Sequence, residues 1–300
     1  MNLYKFFIPK KWRFALLNFF KFIPDEPMLR FQYMVKHHRR LNLKNPKRYT
    51  EKIQWYKLYY RNSLMPICVD KYRVREYVKQ KGLSDILVNL FGVYDKVDDI
   101  SFDKFPSRFV MKTTNGSGTN IICKDKNLLS QDEIKARVKS FLRQSDSHAG
   151  REWPYAGGGT RVVAEELLED FSNQEGAIFD YKFLCFNGKP EYVCVDVDRF
   201  IKHKRNIYDI EWNNLRVSSD CPCVDDDHII EKPKNYERML EIVGILCQDF
   251  PHVRVDLYNI NGKIYFGELT FFPWSGYVQF TPDPFDLEMG EKFALPVKNK

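Results

Sequence analysis

The segments VRVDLYNI (253–260) and KIYFGELTF (263–271) decide the fold. Both are rich in apolar, β-branched and aromatic residues, and Asn261-Gly262 between them is a two-residue turn signal, so they predict a β-hairpin. Asp256 and Glu268 interrupt the two apolar runs. They lie 268 − 256 = 12 residues apart around that turn, so pairing the strands brings both carboxylates to one end. Buried carboxylates need partners. Mg²⁺, which is held by one or two carboxylates plus substrate phosphates, is one such partner. An ion pair with Arg254 or another cation is the alternative.

Working outward, residues 236–247 have helical spacing, and 181–198 reads as a hairpin turning at Asn187-Gly188. RVVAEELL (161–168) is a strand running into a connection, and 131–144 is helical. RFVMKTTNGSGTNIIC (108–123) reads as strand, glycine-rich turn, strand. ILVNLFGVYD (86–95) is β-like, and 70–82 has helical periodicity ending at Gly82. Helices alternating with antiparallel hairpins give an α+β class. Lys112 closes one of these strands and is followed by Asn115-Gly116-Ser117-Gly118. Glycines there let backbone N–H groups approach an anion, and the lysine adds a point charge. No Gly-Lys-Ser/Thr run is present and a strand follows the loop, which excludes the P-loop and the dinucleotide fingerprint. At Glu165-Glu166-Leu167-Leu168, a strand exit could hydrogen-bond an adenine edge while Leu167 or Leu168 packs on its face. An ordinary strand end is the other reading.

Composition bounds the rest. With 44% hydrophobic and 29% charged residues over 300 positions, disorder, collagen and coiled coil are excluded, and there is room for two lobes or a domain with an appendage. No apolar run reaches the length of a membrane-spanning helix. Seven scattered cysteines suit reduced thiols, hence a cytoplasmic setting. The net charge of +7 is uneven: residues 1–61 hold 15 Lys/Arg against three acids, or +12. This aromatic, basic stretch suits an anionic membrane surface, or it packs on the main domain with its cations solvated. Nucleic acid is not expected, because no base-reading motif accompanies the charge. Asp196-Val197-Asp198 matches the Asp-x-Asp pattern of glycosyltransferases but reads as a strand end. Cys221-Pro222-Cys223 near His228 lacks the second pair a zinc site needs. The sequon at Asn115 and the run Asp225-Asp226-Asp227 carry no site.

Taken in order, Lys112 with NGSG, the EELL connection, Asp180-Tyr181-Lys182, HKRN (203–206), RVDLY and GELTFFPWSG resemble the ATP-grasp ligases. More closely, they are similar to the TupA-like branch associated with teichuronopeptide and other surface-polysaccharide synthesis. The resemblance runs from about residue 70 to the C-terminus. It implies an ATP-grasp fold, two α+β subdomains over 62–165 and 166–300 gripping ATP; the basic helical arm over 1–61 lies outside it and does not resemble the family's usual preceding substrate-binding domain. It implies Lys112 at the α- and β-phosphates, Gly116, Ser117 and Gly118 as the flap, and Glu165, Glu166 and Leu168 around adenine. Asp180 falls at the ribose, Lys182, Arg205 and Arg254 supply further catalytic cations, and Asp256 and Glu268 hold Mg²⁺. Many ATP-grasp enzymes carry Asn where this chain has Thr270, which leaves a third metal ligand open. The implied reaction joins a carboxylate, expected to be a uronic acid of a surface polysaccharide or lipid-linked precursor, to an amino acid or other amine through an acylphosphate. A glycan kinase, a glycosyltransferase using Asp196 and Asp198, and a nucleotide-binding scaffold are the alternatives. Residues 1–61 would place the protein against the inner membrane face.

Overall fold

The computed structural model describes residues 20–116, 118–144, 150–156, 159–170, 178–197, 203–224 and 229–300. The expectations placed on residues 1–19, Ser117, Asp198, Asp225, Asp226, Asp227 and His228 lie outside them.

Two antiparallel sheets organise the chain. The first has the order β1-β4-β2-β3, with β1 Leu90–Tyr94, β2 Phe109–Thr113, β3 Asn120–Cys123 and β4 Val162–Glu165. The second has the order β7-β6-β5-β8-β9, with β5 Asp180–Phe186, β6 Lys189–Val197, β7 Lys204–Asp209, β8 His252–Ile260 and β9 Lys263–Thr270. The two hairpins of the second sheet turn at Asn187-Gly188 and Asn261-Gly262. All four turn residues have positive φ (51°, 78°, 51° and 81°), the twist-matched conformation that Asn-Gly adopts at least cost. The helices Gln131–Gln144 and Tyr236–Cys247 form where the periodicity predicts them. The stretch at 70–82 is helical only over Val74–Gln80, and the strand expected over 86–95 spans Leu90–Tyr94.

Each sheet has its own apolar layer. In the first, Phe109, Met111, Ile121, Cys123, Val162 and Ala164 pack against Ile134 and Val138 of the helix Gln131–Gln144. In the second, Phe183, Val253, Val255 and Leu257 lie in one core cluster with Met239, Ile242, Val243 and Leu246 of Tyr236–Cys247. Strand alternation then turns Lys182, Arg254 and Asp256 to the opposite face of that sheet.

That opposite face is covered at one end by the helix Tyr49–Tyr59, whose Tyr49, Ile53 and Tyr56 belong to the main core. Over these residues the basic N-terminal stretch is an integral layer of the fold. Asp286 of the helix Pro284–Lys292 caps Tyr49–Tyr59, accepting from the Thr50 N–H at 3.0 Å and the Thr50 hydroxyl at 2.8 Å. Between helix and sheet, the fully buried His252 ring donates from Nδ1 to the Cys185 carbonyl at 2.8 Å. Its Nε2 therefore accepts from the Tyr49 hydroxyl at 3.2 Å.

That arrangement requires a neutral ring, and burial lowers the His252 pKa to about 3. An unfolded histidine binds a proton below about 6.5. Stability is therefore whole above that pH and falls as pH drops from 6.5 toward the folded value, by about 1.4 kcal/mol per pH unit. Between pH 7 and pH 5, the urea-unfolding free energy of the native chain should fall about 2 kcal/mol further than that of His252→Gln. Equal pH dependence in the two proteins would show that His252 is not held neutral.

Candidate functional site

The end of the second sheet left open by Tyr49–Tyr59 carries a polar row. Residues paired across antiparallel strands share a face. The register sets Lys182 beside both Cys194 and Asp256, Asp256 beside Glu268, and Asp180 and Arg205 beside Asp196. Glu268 reaches this face through an irregularity: Asp256 pairs with Glu268 but Leu257 pairs with Phe266, so Gly267 is the extra residue of a β-bulge. Before the bulge, Ile264 and Phe266 are buried toward the core; after it, Leu269 is, and Glu268 and Thr270 turn to the cleft. Only glycine fits there, because a Cβ on Gly267 would sit 2.9 Å from the Asp256 carbonyl oxygen.

Arg254 ties the two carboxylates together. Its Nε and Nη2 each lie 2.7 Å from an Asp256 oxygen, and Nη2 is 2.9 Å from Glu268 Oε1. The ion-pair alternative for Asp256 and Glu268 is thus realised. Thr270 donates its hydroxyl to the same Glu268 oxygen at 3.3 Å. Burial pushes the Asp256 carboxyl up, to about 6, against the pull of Arg254 and Lys182. Alongside, Lys182 pairs with Asp180, with Asp196 at 3.2 Å and with Asp256 at 3.6 Å. Burial works to lower the Lys182 ammonium, and Asp256, Asp180 and Asp196 outweigh it and leave its pKa raised. Asp180 is buried against Lys182.

Asp196 is more than a strand end. Its two oxygens take Arg205 Nε at 2.5 Å and Nη2 at 3.3 Å, His203 Nε2 at 3.1 Å and Lys182 at 3.2 Å. Burial opposes its charge, but Lys182 and Arg205 hold the carboxyl well below the usual range. Arg205 also reaches Asp220 at 2.5 Å and lies over the Trp274 ring at 5.2 Å. Trp274 and Ser275 both have left-handed backbone (φ 51° and 55°), a conformation costing about 1–3 kcal/mol each. The turn is held because Gln54 donates to the Ser275 and Gly276 carbonyls at 3.0 Å and buried Lys57 to the Ser275 carbonyl at 2.9 Å.

The first sheet faces this row with its own charges. Lys112 Nζ lies 2.6 Å from Glu165 Oε2, and Arg75 approaches Glu165 Oε1 at 3.5 Å. Glu166 accepts from the Asn89 side chain at 2.7 Å, its N–H bonds the Asn89 carbonyl, and Leu168 is half-buried in the connection after β4. At the turn after β2, Gly116 and Gly118 take φ of 87° and 74° and would meet nothing with a Cβ. Backbone conformation, not crowding, selects glycine there.

Lys71 bonds the glycine turn, and sequence reasoning missed it. Its N–H donates to the Thr114 carbonyl at 2.9 Å and its Nζ to the Gly116 carbonyl at 2.7 Å. Burial lowers its pKa, Glu268 and Glu165 oppose that, and Lys112 adds to it. One cation therefore senses both the Glu268 carboxylate of the second sheet and the Lys112–Glu165 pair of the first. In sequence it is one charge in a helical stretch full of charges. Its position beside Asp70, whose carboxylate caps the turn by accepting from the N–H of Tyr72 and Arg73, was the available signal.

Hard oxygen donors at Asp256, Glu268 and Thr270, beside a cleft lined with lysines and arginines, form a donor set suited to Mg²⁺ carrying phosphates. Among the described residues no cluster of three His, Cys, Asp or Glu side chains forms a self-sufficient metal site, so such an ion would draw its remaining ligands from substrate and water.

The sequence pattern of the TupA-like ATP-grasp family matches residues 51–294. No curated protein matches significantly. The D-alanine–D-alanine ligase of Bacillus anthracis, solved with ATP, is similar over 68% of this chain and 54% of its own, with 16% identity and a TM-score of 0.40. The L-amino acid ligase of Bacillus licheniformis is similar over 83% of this chain and 56% of its own, with 14% identity and a TM-score of 0.48. The matched region thus spans a little over half of either ligase.

The bulge makes a local prediction. Gly267→Ala should destabilise the protein by about 1–3 kcal/mol in urea unfolding, since the Asp256 backbone must move. Gly244→Ala, in a helix with nothing within 4 Å of the new Cβ, should be neutral or stabilising by up to about 1 kcal/mol. Equal effects would remove the steric account of the bulge.

Proposed function

The chain belongs to the TupA-like ATP-grasp family, and we propose that it is an ATP-dependent ligase joining a carboxylate to an amine. The observation that carries this reading is the pairing of Asp256 with Glu268 across β8 and β9, opposite a glycine turn flanked by Lys71 and Lys112.

In this reading the triphosphate lies between the sheets. Lys112, now paired with Glu165, and Lys71 turn their ammonium groups to its phosphates, and the turn containing Gly116 and Gly118 closes over them. Glu165, Glu166 and Leu168 line the base. Asp256 and Glu268, with Thr270 beside them, would hold Mg²⁺, which when bound neutralises charge on the phosphates. Arg254 and Lys182 keep positive charge next to the transferring phosphoryl group, where charge builds in the transition state. The substrate carboxylate attacks the γ-phosphorus, the bond to the β-bridging oxygen breaks, and ADP leaves. The amine then attacks the acylphosphate carbon, and inorganic phosphate departs as the amide forms. Water would destroy the acylphosphate, so closure of the glycine turn has a chemical purpose.

For the acid we propose a uronic acid of a surface polysaccharide or its lipid-linked precursor, and for the amine an amino acid. Residues 20–61 expose Phe22, Phe31 and Met34 among many cations, which supports peripheral contact with an anionic surface. No helix among the described residues is long and apolar enough to cross a membrane. The glycosyltransferase alternative is disfavoured by the match of residues 51–294 to the TupA-like ATP-grasp family.

Glu268→Gln should keep the fold and lower ADP release from Mg-ATP roughly 10²-fold or more. Release should require a carboxylate acceptor, and amide formation an amine. Unchanged ADP release in Glu268→Gln would refute the role of that carboxylate, and a phosphorylated product stable to added amine would identify a kinase.

A further inference from the structure

A cavity borders the glycine turn. It encloses ≈ 420 Å³, and Asp70, Arg73, Asp95, Asn115, Pro154 and Arg161 are among the residues lining it. Its place follows from the first sheet. Along β2 and β4, Val110 pairs with Glu165 and Thr113 with Val162, so Glu165 and Arg161 lie at opposite ends of β4, about 13 Å apart at 3.3 Å per residue. Glu165 marks the base end. Arg161, whose carbonyl accepts from the Thr114 N–H at 2.8 Å, marks the end where the glycine turn begins and where phosphates would lie.

The charge there is incompletely matched. Arg161 lies over the Tyr72 ring at 4.6 Å, and its nearest ion-pair oxygen, on Asp70, is 3.9 Å away. That oxygen already accepts from two backbone N–H groups at 2.9 and 2.8 Å. Arg73 pairs with no carboxylate among the described residues. Asn115 adds an independent sign. The residue is 5% exposed, yet its Oδ1 has no hydrogen-bond donor among the described residues, a condition that a ligand hydroxyl would relieve. Two guanidinium groups suit a carboxylate, the residue pairing for planar two-point recognition. Asp95 and Asn115 Oδ1 are acceptors for hydroxyl groups, and Pro154 offers an apolar face. The volume admits one sugar unit.

We propose that this cavity binds the acid substrate as a polyhydroxylated carboxylate, a uronic-acid unit, with Arg73 and Arg161 on the carboxylate and Asn115 on a hydroxyl. The proposal rests on the ATP-ligase reading above and adds where the acceptor sits. It places the nucleophilic carboxylate at the phosphate end of the cleft, next to the turn that closes over it.

The test is equilibrium binding of D-glucuronate and D-galacturonate to the full chain loaded with Mg²⁺ and a non-hydrolysable ATP analogue, AMP-PNP. At least one uronate should bind. Arg161→Gln and Arg73→Gln should each weaken it roughly tenfold or more, a charge-assisted pair being lost, and by a larger factor than either weakens AMP-PNP. D-glucuronamide, which keeps the hydroxyls and lacks the charge, should bind as weakly as the variants bind the acid. The proposal is overturned if AMP-PNP binds but neither uronate does, if the arginine variants bind as native, or if glucuronamide equals glucuronate. Tighter binding of L-glutamate than of either uronate would overturn it too, assigning the cavity to the amine substrate. Failure of AMP-PNP itself to bind would instead overturn the nucleotide reading beneath it.

Discussion

A single extra residue in β9 determines whether Glu268 joins the charged face of the second sheet. Side chains alternate along a strand, so without the bulge at Gly267 the positions after Phe266 would continue the core pattern. Glu268 would then point among Val255 and Leu257, and Leu269 into the cleft. The bulge reverses that parity, sets Glu268 opposite Asp256, and lets Arg254 reach both carboxylates. The crowding of Gly267 against the Asp256 carbonyl is the structural trace of that reversal. Everything proposed for the cleft follows from these two acids sharing a face.

The cleft is electrostatically tight before any ligand is considered. On the second sheet Lys182, Arg205 and Arg254 face Asp180, Asp196, Asp256 and Glu268 in ion pairs that share partners. Buried charges are tolerable only when paired in this way, and removing one member leaves the others exposed to the full cost of desolvation. Such a network holds its side chains at fixed positions, so a polyphosphate with its cation would enter a prearranged field. Lys71 extends that field to the first sheet, where its bond to the Gly116 carbonyl couples the turn to the charge state of the cleft.

Much of this was legible from local chemistry. Asn-Gly at 187–188 and 261–262 specifies tight turns because few other dipeptides accept positive φ twice, and those two hairpins place Lys182, Asp256 and Glu268. The helices at 131–144 and 236–247 were legible because one apolar face packs on a sheet. What escaped depended on contacts far apart in the chain. Tyr49–Tyr59 is buried almost all round, so its pattern lacks the amphipathic contrast that marks a surface helix, and its cations left a membrane-facing arm and a layer packed on the main domain equally open. Lys57, buried and bonded to the strained turn at Ser275, looks like any solvated lysine in sequence. Lys71 was hidden among helical charges, and Asp196 reads as a strand end until Arg205 and Lys182 are seen to converge on it. The bulge itself is one residue long, and periodicity over eight residues cannot register it.

The central claim is that Asp256 and Glu268 jointly hold the metal of a nucleotide lying between the sheets. A crystal grown with ADP and Mn²⁺ in place of Mg²⁺, with data collected at the manganese edge, tests it most directly. The account requires an anomalous peak touching both carboxylates, with the diphosphate reaching toward Lys112. A peak bound elsewhere, or a nucleotide seated outside the space between the two sheets, would contradict it.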